Sequence, residues 1–189
     1  MKDSDRLEMV TAIQTILRLI ENKEELREEL QETPLRVARA YEEMLCGYDV
    51  DVGGLFKIFN GEGLDQIVAI RNIPFVSMCE HHMLIFSGTV NVAYLPNGRV
   101  IGASKLPRLV QAYSKRLQIQ ERIAEQVAHA IMCYLEPHGV AVIIKGEHSC
   151  MRCRGANSYS SDMINSIMLG KFREDQALRM EVLSLIGQI

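Results

Sequence analysis

After about residue 66 the hydrophobic period changes from helical spacing to extended alternation, and that change constrains the fold more than any other feature. From about Asp5 to Asn22, the residues Leu7, Val10, Ile13, Leu17 and Ile20 recur at three- and four-residue intervals, which marks one face of an amphipathic helix. A second helix is punctuated at both ends. Thr33 reads as its cap, Pro34 as its first residue, Val37, Ala40, Tyr41, Met44 and Leu45 as its stripe, and Gly47 as its stop. Residues 49–65 are broken by glycines and hold no period, so they read as a connecting loop. From there the pattern is extended. Ile67 to Ile70 and Phe86 to Leu95 read as strands, the latter with Val90, Val92 and Tyr94 on one face, and Pro96-Asn97-Gly98 turns the chain back through Val100-Ile101.

Two more helices follow, one capped by Ser104 and carrying Leu106, Leu109, Val110 and Tyr113, the other carrying Ile123, Val127, Ile131 and Leu135. Pro137-His138-Gly139 ends the second, and Val140 to Ile144 is a short buried strand. A polar region at 157–165 leads to a final helix holding Phe172, Leu178, Val182 and Leu185. These elements predict an α+β fold, with helices packed on an antiparallel sheet and an N-terminal helical pair in front. The expected division is a helical region at 1–48, a connecting segment at 49–66 and a catalytic region at 67–189. No repeat or low-complexity segment interrupts it.

Length then decides what a metal would be for. A chain of 189 residues hides roughly 70% of the surface its unfolded form exposes, so it folds without a disulfide or metal staple. No apolar run reaches the ~18 residues of a membrane span, and residues 1–6 open no signal peptide, so the expected location is the cytoplasm. Five cysteines, an odd number at irregular spacing, are then free thiols or metal ligands. Charge is lopsided. Residues 1–66 hold 8 basic and 15 acidic side chains, net −7, whereas 67–189 hold 13 and 9, net +4, so an anion belongs with the second part. With 6% aromatics and no Trp, a stacking surface for nucleic acid is not expected.

The chemistry concentrates in a few blocks. Cys79-Glu80-His81-His82 places a thiol and two imidazoles within four residues, and Cys-x-x-His lets both ends reach one zinc ion. His148-Ser149-Cys150-Met151-Arg152-Cys153-Arg154 ends the other buried strand. On spacing alone, Cys79, His82, Cys150 and Cys153 make a closed, structural four-ligand set. His81 and His148 beside those ligands suit the alternative, three protein ligands with an open position for hydrolysis. Ser104-Lys105-x-x-Arg108 opens a helix and reads either as an ordinary cap or as a phosphate site. Gln120-Glu121 reads either as a helix start or as an amide and carboxylate facing the two-donor edge of guanine. Cys46 and Cys133 read as small buried hydrophobes, the ten methionines as core filler, and His129 and His138 as residues without a partner.

Taken in order, Pro74 to His82, Val100 to Arg108, Leu117 to Arg122 and His148 to Gly155 closely resemble the signature blocks of GTP cyclohydrolase I. Thr33 to Ala38 and Gly170 to Asp175 extend the likeness over nearly the whole chain. The resemblance implies a tunnelling fold (T-fold) assembled as a homodecamer with active sites between subunits. It implies conversion of GTP and water to 7,8-dihydroneopterin triphosphate and formate, the first step of pterin and tetrahydrofolate biosynthesis, with zinc-activated water attacking guanine C8. By the same resemblance the zinc ligands are Cys79, His82 and Cys150, the catalytic histidines His81 and His148, and the guanine pair Gln120 and Glu121. The triphosphate contacts are Ser104, Lys105, Arg108 and Arg154, joined by Arg36 from a neighbouring subunit. Two stretches depart from the family pattern: residues 156–165, where relatives are Thr-rich, and Ile85, where a Pro is frequent. The competing readings are a non-catalytic zinc-stabilised nucleotide-binding assembly and an enzyme that stops at a formamide.

Overall fold

The structure is a computed structural model that describes residues 2–187. It divides into two compact units, 1–46 and 47–189. In the first, α1 (Asp3–Glu21) and α2 (Thr33–Met44) form the helical pair. Asn22 closes α1 in the left-handed conformation that Asn tolerates, and Arg6 of α1 reaches Glu42 of α2 at 2.8 Å. That guanidinium holds the Glu42 carboxyl below its ordinary range. Thr33 is the first helical residue and not the cap, which is Glu32, whose side chain makes no capping bond. Of the α1 stripe only Ile13 is buried, while Leu7 and Ile20 stay exposed.

The second unit is built on a five-stranded sheet in the order β5-β2-β3-β6-β7. Its strands are β2 (Val68–Cys79), β3 (Ile85–Leu95), β5 (Leu117–Gln118), β6 (Gly139–His148) and β7 (Met163–Gly170), antiparallel except for β5, which runs parallel to β2. A separate two-stranded ribbon pairs β1 (Ile58–Asn60) with β4 (Arg99–Ile101). The turn at 96–98 therefore sends β4 to the segment expected to be loop, and not back along β3. Helices α3 (Lys105–Ser114) and α4 (Gln120–Leu135) cover one face of the sheet. The short α5 (Ser149–Arg152) follows β6, and α6 (Lys171–Glu174) and α7 (Gln176–Ile186) supply the apolar side chains of the other face.

Period-two alternation explains why β3 and β6 are apolar at nearly every position. Val90, Val92 and Tyr94 of β3 join Val140, Val142 and Ile144 of β6 in the core under α3 and α4. The intervening Ala93, Leu95, Ala141 and Ile143 join Phe172, Val182 and Ile186 in a second core. Asn91 shares that second face and is fully buried. It survives there because its amide donates to the Ile186 carbonyl at 2.6 Å and accepts from the Asn72 N–H at 2.7 Å. The latter bond fixes the irregularity in β2 between Ile70 and Ile73, where Asn72 adopts φ 56°.

Several expectations fail here. Strand β7 occupies part of the expected polar region and the residues after it. The final helix is two helices, with Phe172 in α6. Ile186 and not Leu185 faces the core. Cys46 and Cys133 are exposed, so neither fills the core. The scattered methionines split: Met78 and Met168 are buried, whereas Met83, Met151 and Met180 are exposed. No helix among the described residues is long and apolar enough to cross a membrane.

Candidate active site

Sheet order alone gathers most of the chemical residues at one end of the sheet. Antiparallel pairing puts the end of β2, the start of β3 and the end of β6 together, with Met78 opposite Ile85 and Phe86 opposite His148. The parallel β5 sets Gln118 opposite Cys79, which brings the first turn of α4 to the same end. Cys79 closes β2, and Glu80, His81 and His82 form the turn into β3. Two N–H groups, of His82 and Met83, donate to the Cys79 carbonyl, and Met83 takes φ 53° to complete the turn. Cys150 sits in α5 directly after β6.

Ligand atoms of Cys79, His82 and Cys150 all lie within 4.8 Å of one another. The Cys79 Sγ to His82 Nδ1 separation is 3.6 Å. A tetrahedral zinc with ordinary bond lengths holds its S and N ligands about 3.6 Å apart, so this spacing fits the ion without rearrangement. Two thiols and an imidazole are also the borderline-soft donors that zinc selects. Burial first, and then the adjacent Cys79 thiol, push the Cys150 thiol above its ordinary value. A cation between the two sulfurs would reverse that pressure. Cys153, the C-cap of α5, is exposed and stands outside the group.

The two other histidines differ in setting. His81 is largely exposed, with Nδ1 3.9 Å from the Cys79 Sγ and Nε2 3.8 Å from Glu80. His148 is half-buried, stacked on Phe86 with rings 4.6 Å apart and 6° from parallel, and its Nε2 lies 3.1 Å from the Gln120 Oε1. Burial pushes the His148 imidazole below its ordinary value, and Glu121 partly opposes it. A neutral ring near pH 7 is what a proton acceptor needs.

Glu121 is exposed beside His148, but Gln120 is not available to a ligand in the same way. It is fully buried, and its amide is committed to protein partners. Arg154 is exposed and near enough to Cys150 to favour its thiolate. The block Ser104, Lys105 and Arg108 lies elsewhere. It starts α3, whose far end leads to Leu117 beside Met78, so the ten-residue helix spaces it about 15 Å from that end. Ser104 stands at the N-cap position, yet its hydroxyl makes no cap bond. Arg36 lies on α2 in the other unit, exposed and paired with Glu32 at 2.5 Å.

One clamp had no separate signal in the sequence. Arg122 binds both carboxylate oxygens of Glu80, at 2.5 and 3.0 Å, and pins the turn at 79–82 to the start of α4. The guanidinium holds the Glu80 carboxyl below its ordinary range. Phe86 and Asn165, which touch the site residues, were also missed. Only their place opposite or beside β6 in the sheet reveals them.

The family model described as GTP cyclohydrolase I matches residues 9–187. A GTP cyclohydrolase 1 of Streptococcus suis (strain 05ZYH33) is 46% identical over 176 residues, covering 92% of this chain and 94% of its own. That of Caldanaerobacter subterraneus subsp. tengcongensis is 45% identical over 184 residues, covering 97% of both chains. That of Dehalococcoides mccartyi (strain CBDB1) is 49% identical over 162 residues, covering 85% and 86%. Matched along nearly its whole length, and with the Cys79–His82 turn, His148 and the start of α4 gathered at one end of its sheet, the chain belongs to the GTP cyclohydrolase I family of hydrolases.

Proposed function

We propose that this chain is a zinc-dependent enzyme that hydrolyses GTP to 7,8-dihydroneopterin triphosphate and formate. The observation that carries the proposal is the set Cys79, His82 and Cys150, with His148 and Glu121 beside it and Cys153 outside it. Three protein ligands leave a fourth zinc position for substrate chemistry, whereas a four-ligand set of three cysteines and one histidine would close it. Held there, zinc would supply a Lewis acid able to activate water near neutral pH.

The chain's own residues supply the rest. Glu121 accepts the N1–H and N2–H of guanine, a pair of donors that adenine lacks, and so orients C8. His148, neutral and stacked on Phe86, exchanges the proton needed when the imidazole ring of the purine opens. His81, exposed on the metal turn, is the second proton carrier, and Arg122 holds that turn through Glu80. Release of formate, rearrangement of the ribose and closure of the pterin ring follow.

Arg154 binds the triphosphate from within the chain. Ser104, Lys105 and Arg108, separated from the metal end by the length of α3, meet the site from a neighbouring subunit, as does Arg36. That division favours active sites between subunits, and the family resemblance implies that the assembly is a homodecamer. The free thiols, including the two metal thiolates, suit a reducing cytoplasm.

Metal removal tests this reading. Protein stripped with a chelator and supplied with GTP is expected to release no formate, and stoichiometric zinc is expected to restore release. Equal formate release before and after stripping would overturn zinc dependence.

A further inference from the structure

The amide of Gln120 can point only one way. Its Nε2 donates to the Met163 carbonyl at 2.8 Å and to the Ile144 carbonyl at 3.3 Å, and the Asn165 Oδ1 lies 2.9 Å from it. Two backbone carbonyls accept only, so the NH2 must face them and the oxygen must face away. That oxygen sits 3.1 Å from the His148 Nε2. An amide oxygen also accepts only, so the Nε2 carries the hydrogen.

We propose that Gln120 is a positioning residue that locks His148 in the Nε2–H tautomer and leaves Nδ1 as its one reactive nitrogen. Among the described residues no hydrogen bond engages Nδ1. Protonation places a proton on the Nδ1 lone pair, and delivery removes the same proton. The Nε2–H bond to Gln120 is unchanged throughout. The Phe86 stack fixes the plane of the ring and the Gln120 bond fixes its rotation in that plane.

Gly146 is an independent sign that this arrangement is built in. A Cβ there would stand 2.2 Å from the Gln120 Oε1, so the strand leaves room for the amide oxygen by lacking a side chain. Gly146 is itself buried and pairs with Met163, whose carbonyl holds the other end of the same amide.

The catalytic use of this tautomer rests on the function proposed above, but the tautomer itself does not. In zinc-bound, 15N-histidine-labelled protein, long-range 1H–15N correlation spectra are expected to show the Nε2–H form of neutral His148 in excess, by at least about tenfold. The signal is assigned by its loss in His148→Phe. An Nδ1–H form in the unaltered chain would overturn the proposal, and this arm needs no variant that folds. Gln120→Met removes the acceptor, and Gly146→Ala keeps Gln120 but displaces its oxygen. Both are expected to mix the tautomers and lower kcat by about tenfold or more, with KM changed by less than about twofold. A raised KM with unchanged kcat in Gln120→Met would make Gln120 a substrate contact and overturn the positioning role. An unaltered chain that shows the Nε2–H form but releases no formate would overturn the proposed reaction and leave the tautomer assignment standing.

Discussion

Cys150→Ser is expected to cost the protein its zinc and its formate release together, with turnover falling by about a thousandfold or more. The magnitude follows from removing a Lewis acid that lowers the barrier by several kcal/mol. Serine keeps the size of the side chain but offers a hydroxyl that is not ionised near pH 7, so the group within 4.8 Å of its neighbours loses one of its two thiolates. Cys153→Ser, made in parallel, is expected to keep both metal and turnover because Cys153 is exposed and outside the group. Metal analysis by mass spectrometry with a formate assay reads both variants. Loss of zinc in the Cys153 variant would instead place four protein ligands on the metal and favour the closed, structural site.

His148→Ala separates metal binding from chemistry. The imidazole is absent from the ligand group, so the variant is expected to bind zinc at the level of the unaltered protein. It removes the proton carrier stacked on Phe86, a loss that general acid–base catalysis sets at about 10²- to 10⁴-fold in kcat. Comparing zinc content with steady-state kcat checks the two halves separately. Near-normal turnover would remove His148 from the reaction, and lost zinc would make it a ligand.

How much of this was legible in sequence depends on how local each feature is. Helices α3 and α4 announce themselves by period because their burial repeats with the backbone geometry, α1 and α2 show the same spacing although α1 buries only Ile13, and β3 and β6 show as apolar runs buried on both faces. Strand β7 does not. Its Asn165 and Ser166 interrupt the apolar pattern, and Asn165 is there to meet Gln120, a contact 45 residues away in sequence. The β1 and β4 pair is three residues long on each side, too short for alternation to register.

The site divides in the same manner. Cys-x-x-His is a local signal, so Cys79 and His82 could be paired on spacing. Spacing alone left Cys150 and Cys153 both open and the resemblance picked Cys150; in the fold α5 ends at Arg152 and Cys153 stays outside the gathered group. The neighbouring Gln120 and Glu121 look alike as guanine contacts in sequence. In the fold one is fully buried behind His148 and the other is exposed beside it, and that difference depends on a glycine 26 residues further along. The separation of the α3 block from the metal end is likewise a matter of topology, since it depends on the direction in which α3 runs.

The central claim is that the chemistry begins at guanine C8 and ends with that carbon expelled as formate. Following GTP labelled with 13C at C8 by 13C NMR, in the presence of the zinc-bound protein, tests it most directly. The account predicts that the label appears in formate, one equivalent for each GTP consumed, while the unlabelled product develops pterin absorbance and keeps three phosphates. Label retained in a ring-opened formamide, or phosphate released while the label stays in intact guanine, would contradict it.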